Sequence, residues 1–246
     1  MKKQSLAVTV VLLVLLSMTA FAENTRYDQP IQQAVSQKIQ KAKNLQNVSS
    51  SVEDGIVTLT GTVGLYRDKL DAGNKIKKIA NVAGVRNDIV VAGPAVADSD
   101  LQKKLSKEVA YDRVGYPDNT FNYLAVSVKD GVVTLSGDVV WSVPLDDAVA
   151  LAARMPGVKD VVKDVNVLPV SNFDDAIRIS TARAIYRDSI LGRYGSDPAH
   201  PIRIVVDNGH VTLYGTVESA MDRNMAGIRA GSVPGAFSVD NKLVVD

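Results

Sequence analysis

The chain of 246 residues contains no cysteine, which excludes disulfides, thiolate metal sites, cysteine nucleophiles and lipid attached to an N-terminal cysteine. Histidine is almost as scarce. His200 and His210 are the two present, and neither stands in a carboxylate-rich motif that would make a metal site. No excess of one charge exists either: 28 basic residues face 27 acidic ones, so no overall field would collect nucleic acid. The G-x-S-x-G, H-E-x-x-H, G-x-x-x-x-G-K-[ST] and G-x-G-x-x-G fingerprints are all missing. No catalytic residue, metal or cofactor is therefore expected, and the protein is expected not to be an enzyme. What is present, 46% hydrophobic and 22% charged side chains, is the balance of a globular protein.

Long apolar runs are lacking beyond one. Leu6 to Leu16 follows Lys2 and Lys3 and precedes Ala20-Phe21-Ala22, the pattern of a secretory signal cut after Ala22. The run is short for a spanning helix, which needs ~20 apolar residues. Residues 1–22 are thus expected to be a signal peptide, the compartment a bacterial periplasm, and the mature chain free of transmembrane segments. Absence of cysteine fits such an oxidising space.

The rest of the chain repeats itself three times. Asp54-Gly55-Ile56-Val57-Thr58-Leu59-Thr60-Gly61-Thr62-Val63 recurs as Asp130 to Val139 and again as Asn208 to Val217. Asp-Gly or Asn-Gly between alternating apolar residues marks a hairpin, because both turn residues need φ > 0. Gly55, Gly131 and Gly209 are therefore turn glycines, and Gly61, Gly137 and Gly215 recur within the second strand. A second signature follows each hairpin: Val82-Ala83-Gly84-Val85, Met155-Pro156-Gly157-Val158 and Val233-Pro234-Gly235-Ala236. Gly84, Gly157 and Gly235 are expected to end a helix as left-handed residues. Strands are expected at 89–91, 161–167 and 243–245.

A helix is expected before each hairpin, with apolar stripes at Ile31, Val35 and Ile39, at Leu101, Leu105 and Val109, and at Ile177, Thr181 and Ile185. Second helices are expected over 66–80, 145–154 and 219–230. Each unit then reads α-β-β-α-β. The fold class is α+β, with three tandem modules, each two helices on one face of a small three-stranded mixed sheet. The Gly227-x-x-x-Gly231 pattern lies in an amphipathic segment, which points to helix-on-sheet packing rather than dimerisation.

The order helix, strand, [DN]-G-x-V-T-L-x-G-x-V, helix, x-G-[VA], strand resembles the BON domain, named for bacterial OsmY and nodulation proteins. The resemblance covers 26–95, 98–170 and 171–246, essentially all of the mature chain. OsmY-like periplasmic proteins usually carry two such domains, so the third is a departure. The resemblance implies a periplasmic location, a part in osmotic or envelope stress, and affinity for phospholipid. It implies no catalytic residues.

Charge is unevenly shared among the repeats. Repeat 1 holds ten Lys/Arg against six Asp/Glu, repeat 2 eight against eleven, and repeat 3 eight against nine. Lys38, Lys41, Lys43, Lys75, Lys77 and Lys78 on the two helices of repeat 1 are candidates to face an anionic phospholipid surface, or else form an ordinary solvated face. Repeats 2 and 3 have a longer connection from first helix to first strand, rich in aromatics and arginine. Tyr111, Arg113, Tyr116, Phe121 and Tyr123 in repeat 2, with Tyr186, Arg193 and Tyr194 in repeat 3, are candidates to contact a partner or to pack between repeats. Trp141 is expected in the core or between repeats. The short linkers lead repeats 2 and 3 to be expected against each other. Two functions follow: a non-enzymatic envelope protein at a phospholipid surface, or a protein-interaction scaffold or chaperone-like adaptor with no lipid affinity.

Overall fold

The structure is a computed structural model and describes residues 27–112, 114, 116, 118–196 and 201–246. The expected signal peptide, Arg113 and His200 lie outside these. The chain divides into two compact units, one ending at Ala95 and one beginning at Val96.

In the first unit a helix over 27–40 (α1) is followed by a 3-10 turn, Lys43–Leu45, then β1 (Val48–Glu53), β2 (Ile56–Val63), α2 (Tyr66–Lys77), β3 (Gly84–Asn87) and β4 (Val90–Val91). β1 runs antiparallel to β2, while β3 and β4 run parallel to it on its other side, so the sheet is mixed. Alternation along β2 sends Val57, Leu59 and Val63 into a core shared with Ile31, Val35 and Ile39 of α1 and with Tyr66, Ala72 and Ile76 of α2.

The second unit contains two more copies. Repeat 2 comprises α3 (Asp98–Asp112), β5 (Tyr123–Lys129), β6 (Val132–Val139), α4 (Ser142–Arg154) and β7 (Asp160–Val167). Repeat 3 comprises α5 (Asn172–Tyr186), the single turn α6 (Arg193–Ser196), β8 (Arg203–Asp207), β9 (His210–Tyr214), β10 (Thr216–Val217), α7 (Ala220–Gly231), β11 (Ser238–Asn241) and β12 (Val244–Val245). Val133, Leu135 and Val139, and then Val211, Leu213 and Val217, occupy the core positions that Val57, Leu59 and Val63 hold in repeat 1. The central strand pairs with the third strand at one fixed offset, 28 positions, as Ile56 with Gly84, Val132 with Asp160 and His210 with Ser238.

The hairpin turns are held from outside. Asp28, Asp98 and Asp174, at the starts of the first helices, each accept hydrogen bonds from both turn N–H groups. For Asp98 the distances are 2.6 Å from Asp130 and 2.9 Å from Gly131; Asp28 and Asp174 repeat the arrangement at 2.8–3.2 Å. Four residues after each of them, Gln32, Gln102 and Arg178 reach the backbone of the outermost strand, at Ser50, Val128 and Val206. Gly61, Gly137 and Gly215 all have positive φ, and a Cβ on Gly137 would sit 2.2 Å from the Tyr123 carbonyl oxygen.

One expected equivalence is corrected. The left-handed residue that ends the second helix is Gly157 in repeat 2 and Gly235 in repeat 3, but Asn81 (φ 66°) in repeat 1. Gly84 does not take this place. It opens β3, without positive φ, and a Cβ there would meet only Ile56 at 3.9 Å. Asn is the residue that best tolerates this conformation after Gly. The third strands of repeats 1 and 3 also begin five residues earlier than expected, at Gly84 and Ser238.

Candidate functional site

The six candidate lysines of repeat 1 are all exposed, and none forms an ion pair among the described residues. Three of the six acidic groups of this repeat are engaged elsewhere. Asp28 holds the turn, Asp68 accepts a 2.6 Å hydrogen bond from Asn44, and Asp71 pairs with Arg67 at 3.6 Å. The lysines do not form one cluster. The start of α1 lies at the 54–55 turn, as does the end of α2, where Ala83 N–H donates to the Gly55 carbonyl. Asn44, beyond the end of α1, meets Asp68 at the start of α2. The helices are therefore antiparallel, and Lys38, Lys41 and Lys43 sit at one end of the helical layer, with Lys75, Lys77 and Lys78 at the other. The separation is about 18 Å for a twelve-residue helix. Lys41 and Lys78 each lie two positions beyond a buried isoleucine, Ile39 or Ile76, just past the ends of their helices.

Most of the aromatic candidates are turned inward. Phe121 packs on the core of repeat 3. Tyr123 stacks on Tyr214 of repeat 3 with ring centroids 3.8 Å apart and planes 6° apart, and Tyr214 donates to Asp138 at 3.2 Å. Arg203 of repeat 3 reaches back to the 3-10 turn Asn119–Phe121. Its Nη1 donates to the Asn119 carbonyl at 2.6 Å, to the Asn119 side chain at 3.0 Å and to the Asn122 carbonyl at 3.3 Å. Repeats 2 and 3 thus pack together as one unit.

Tyr186 donates to the Ile202 carbonyl inside repeat 3, and burial pushes its hydroxyl up to about 12. Tyr194 is buried; it donates to Asp222 at 2.8 Å and accepts from Glu218 N–H at 2.8 Å. Arg193 pairs with Asp222 at 2.5 Å and with Glu218 at 3.2 Å. Burial opposes the Asp222 charge, yet hydrogen bonds involving Tyr194, Ser219 and Arg193 hold its carboxyl below the ordinary range. Tyr111 and Tyr116 remain on the surface. Trp141 departs from expectation: at 47% exposure it precedes α4 on the surface, beside the exposed Val143.

Residues 27–93, 97–169 and 184–246 match the BON domain. The chain belongs to the BON domain family. Membership points to an envelope-associated protein in a family whose members are generally non-enzymatic. No curated protein matches the chain. Among solved structures it is similar to CdsD, a structural protein of the type III secretion system of Chlamydia trachomatis, at 14% identity over 86% of this chain and 90% of that one, with a TM-score of 0.24. It is also similar to the PrgH periplasmic domain, at 14% identity over 82% of this chain and 96% of that one, with a TM-score of 0.22. Scores this low carry nothing over to the BON repeats here. Among the described residues no helix is long and apolar enough to cross a membrane, and no three His, Asp or Glu side chains gather to hold a metal ion.

The BON module of repeat 2 holds a feature that periodicity did not reveal. A cleft of about 340 Å³ opens between α3, α4 and the start of β5, and extends to repeat 3. Val109, Leu124, Val126 and Leu151 supply apolar walls, and Arg203 is the basic residue among them. The other copies fill the corresponding connection: Leu45 is buried in repeat 1, and Leu191, Tyr194 and Ile202 in repeat 3. In repeat 2, Phe121 is committed to the neighbouring core and Val114 is 42% exposed, so neither plugs its own module.

Proposed function

We propose that this BON protein is a non-enzymatic periplasmic protein whose first module rests on an anionic phospholipid surface, with a part in osmotic or envelope stress. The observation that carries the reading is the set of six exposed lysines without carboxylate partners among the described residues, on a module where Asp28, Asp68 and Asp71 are engaged internally. Each basic residue near an anionic leaflet is worth about 1 kcal/mol. Three at one end of the layer bind more weakly than about 1 mM, whereas all six bring the affinity to between about 1 mM and 1 μM. The two ends must therefore engage together, with the helical layer lying flat.

The test is flotation of the mature chain with zwitterionic and anionic vesicles at low and high salt. Binding is expected to anionic vesicles alone and to be released by salt. Charge reversal as K38E/K41E/K43E or as K75E/K77E/K78E is each expected to abolish flotation. Unchanged flotation of both variants overturns the reading. The scaffold alternative has less on the surface to support it, since Phe121, Tyr123, Tyr186 and Tyr194 are already occupied within the second unit.

A further inference from the structure

We infer that the cleft of repeat 2 is a binding site for a single acyl chain ending in a carboxylate, with the carboxylate at Arg203. This site lies in the second unit, shares no residue with the lysine surface, and does not rest on that reading.

Three observations converge on this ligand. The volume, about 340 Å³, stands at the small end of the ~300–1,000 Å³ range of small-molecule sites, which suits one chain rather than a two-chain lipid. The walls come from the interior side of the module: Val109 on α3, Leu124 and Val126 on β5, and Ala148 and Leu151 on α4. Apolar surface in such a place is of no use to a polar solute and gains from every methylene it covers.

Arg203 supplies the third observation. Its Nη1 bonds to the Asn119 carbonyl and side chain and to the Asn122 carbonyl, and all three acceptors are neutral. Among the described residues it has no ion pair. A guanidinium carries five N–H groups, so the two on Nη1 do not exhaust it. Burial works against its charge, the neighbouring groups that offset this are the hydroxyls of Tyr186 and Tyr123, and no carboxylate does so. A half-buried cation without a counter-ion, on the wall of an apolar cleft, is matched by an amphiphile that brings its own anion. Asp112, the acidic residue on the wall, already has a partner.

The probes are dodecanoate and dodecanol, each titrated calorimetrically into the mature full chain below the micelle-forming concentration. Dodecanoate is expected to bind with one site per chain and at least tenfold more tightly than dodecanol. Arg203→Gln should weaken dodecanoate about tenfold and leave dodecanol unchanged. Because Arg203 also joins repeats 2 and 3, a second variant is needed. Ala110→Phe narrows the cleft from the half-buried side of α3 and should weaken both ligands while circular dichroism stays native. A dodecanoyl lysophospholipid separates the sources of such a chain: binding equal to dodecanoate means that a lysolipid phosphate serves as the anion, which overturns the carboxylate assignment. Absence of dodecanoate binding overturns the proposal. So does binding that survives Ala110→Phe but is lost in K75E/K77E/K78E, which would place the ligand on the lysine surface.

Discussion

At each hairpin a carboxylate 26 to 35 positions away takes up both N–H groups of the turn, and the backbone there depends on it. Removing it leaves two donors without a partner, and hydrogen bonds to a charged acceptor are worth ~1.5–3 kcal/mol each at full strength. Asp98→Ala, at a solvent-exposed turn, is expected to cost about 1–2 kcal/mol, and Asp174→Ala, at a buried one, more. Urea denaturation of the two variants checks both the sign and the order. Gly137→Ala should be severely destabilising because of the Tyr123 carbonyl, whereas Gly84→Ala should change little. Sequence identity misled at Gly84: the letters Ala-Gly-Val align with Pro-Gly-Val, but the left-handed position alternates between Asn and Gly. The clue was spacing. Gly84 lies 23 residues after Gly61, while Gly157 and Gly235 lie 20 after their counterparts, and Asn81 restores 20.

Helices and central strands were legible in the sequence because each has its own period and its own turn residues. The beginnings of the third strands were not, since Gly84–Asn87 and Ser238–Asn241 lie half-exposed and lack clean apolar alternation. Gly73 and Gly227 show what helix-on-sheet packing requires. Asn87 and Asn241 pass each glycine at 2.9 Å from where a Cβ would be, to donate to the Lys69 and Arg223 carbonyls at 2.7 Å. Repeat 2 has Val149 and Lys163 at these positions, so glycine and asparagine are replaced together.

The joint between repeats 2 and 3 was expected from the short linkers, but which aromatics form it was not legible, because aromatics suited to a partner are equally suited to a neighbour. Tyr186, bonded inside repeat 3, gives the stability of that repeat a pH dependence. Its folded value of about 12 lies above the ~10 of an unfolded tyrosine, so the folded state keeps a proton that the unfolded state has lost. Stability is full below about pH 10 and falls by roughly 2–3 kcal/mol as pH rises through 12. Tyr186→Phe should flatten this alkaline slope in urea midpoints taken from pH 9 to pH 11.

Across the whole molecule, one copy stands as its own unit while two share contacts through Arg203, Tyr123 and Phe121. Limited proteolysis is expected to cut first within 92–97, which has no regular structure and is largely exposed, and to leave the 96–246 portion intact for longer. Equal rates of cleavage inside both units would contradict this division. The cleft could not be seen in composition, because it follows from where Phe121 packs rather than from its presence.

The fixed pairing of central and third strands also acts as a filter on inheritance. One residue gained or lost between the hairpin and the third strand would slide the parallel pairing and turn each apolar side chain of that strand to the wrong face. The stretch from first helix to hairpin has no such ruler, and there the copies differ: Asp28 meets a glycine 27 positions on, Asp98 one 33 on and Asp174 one 35 on. The three copies thus differ in length on one side of each turn and agree on the other. New surfaces in this lineage would arise where length was free to drift, which is where repeat 2 acquired both its joint and its cleft.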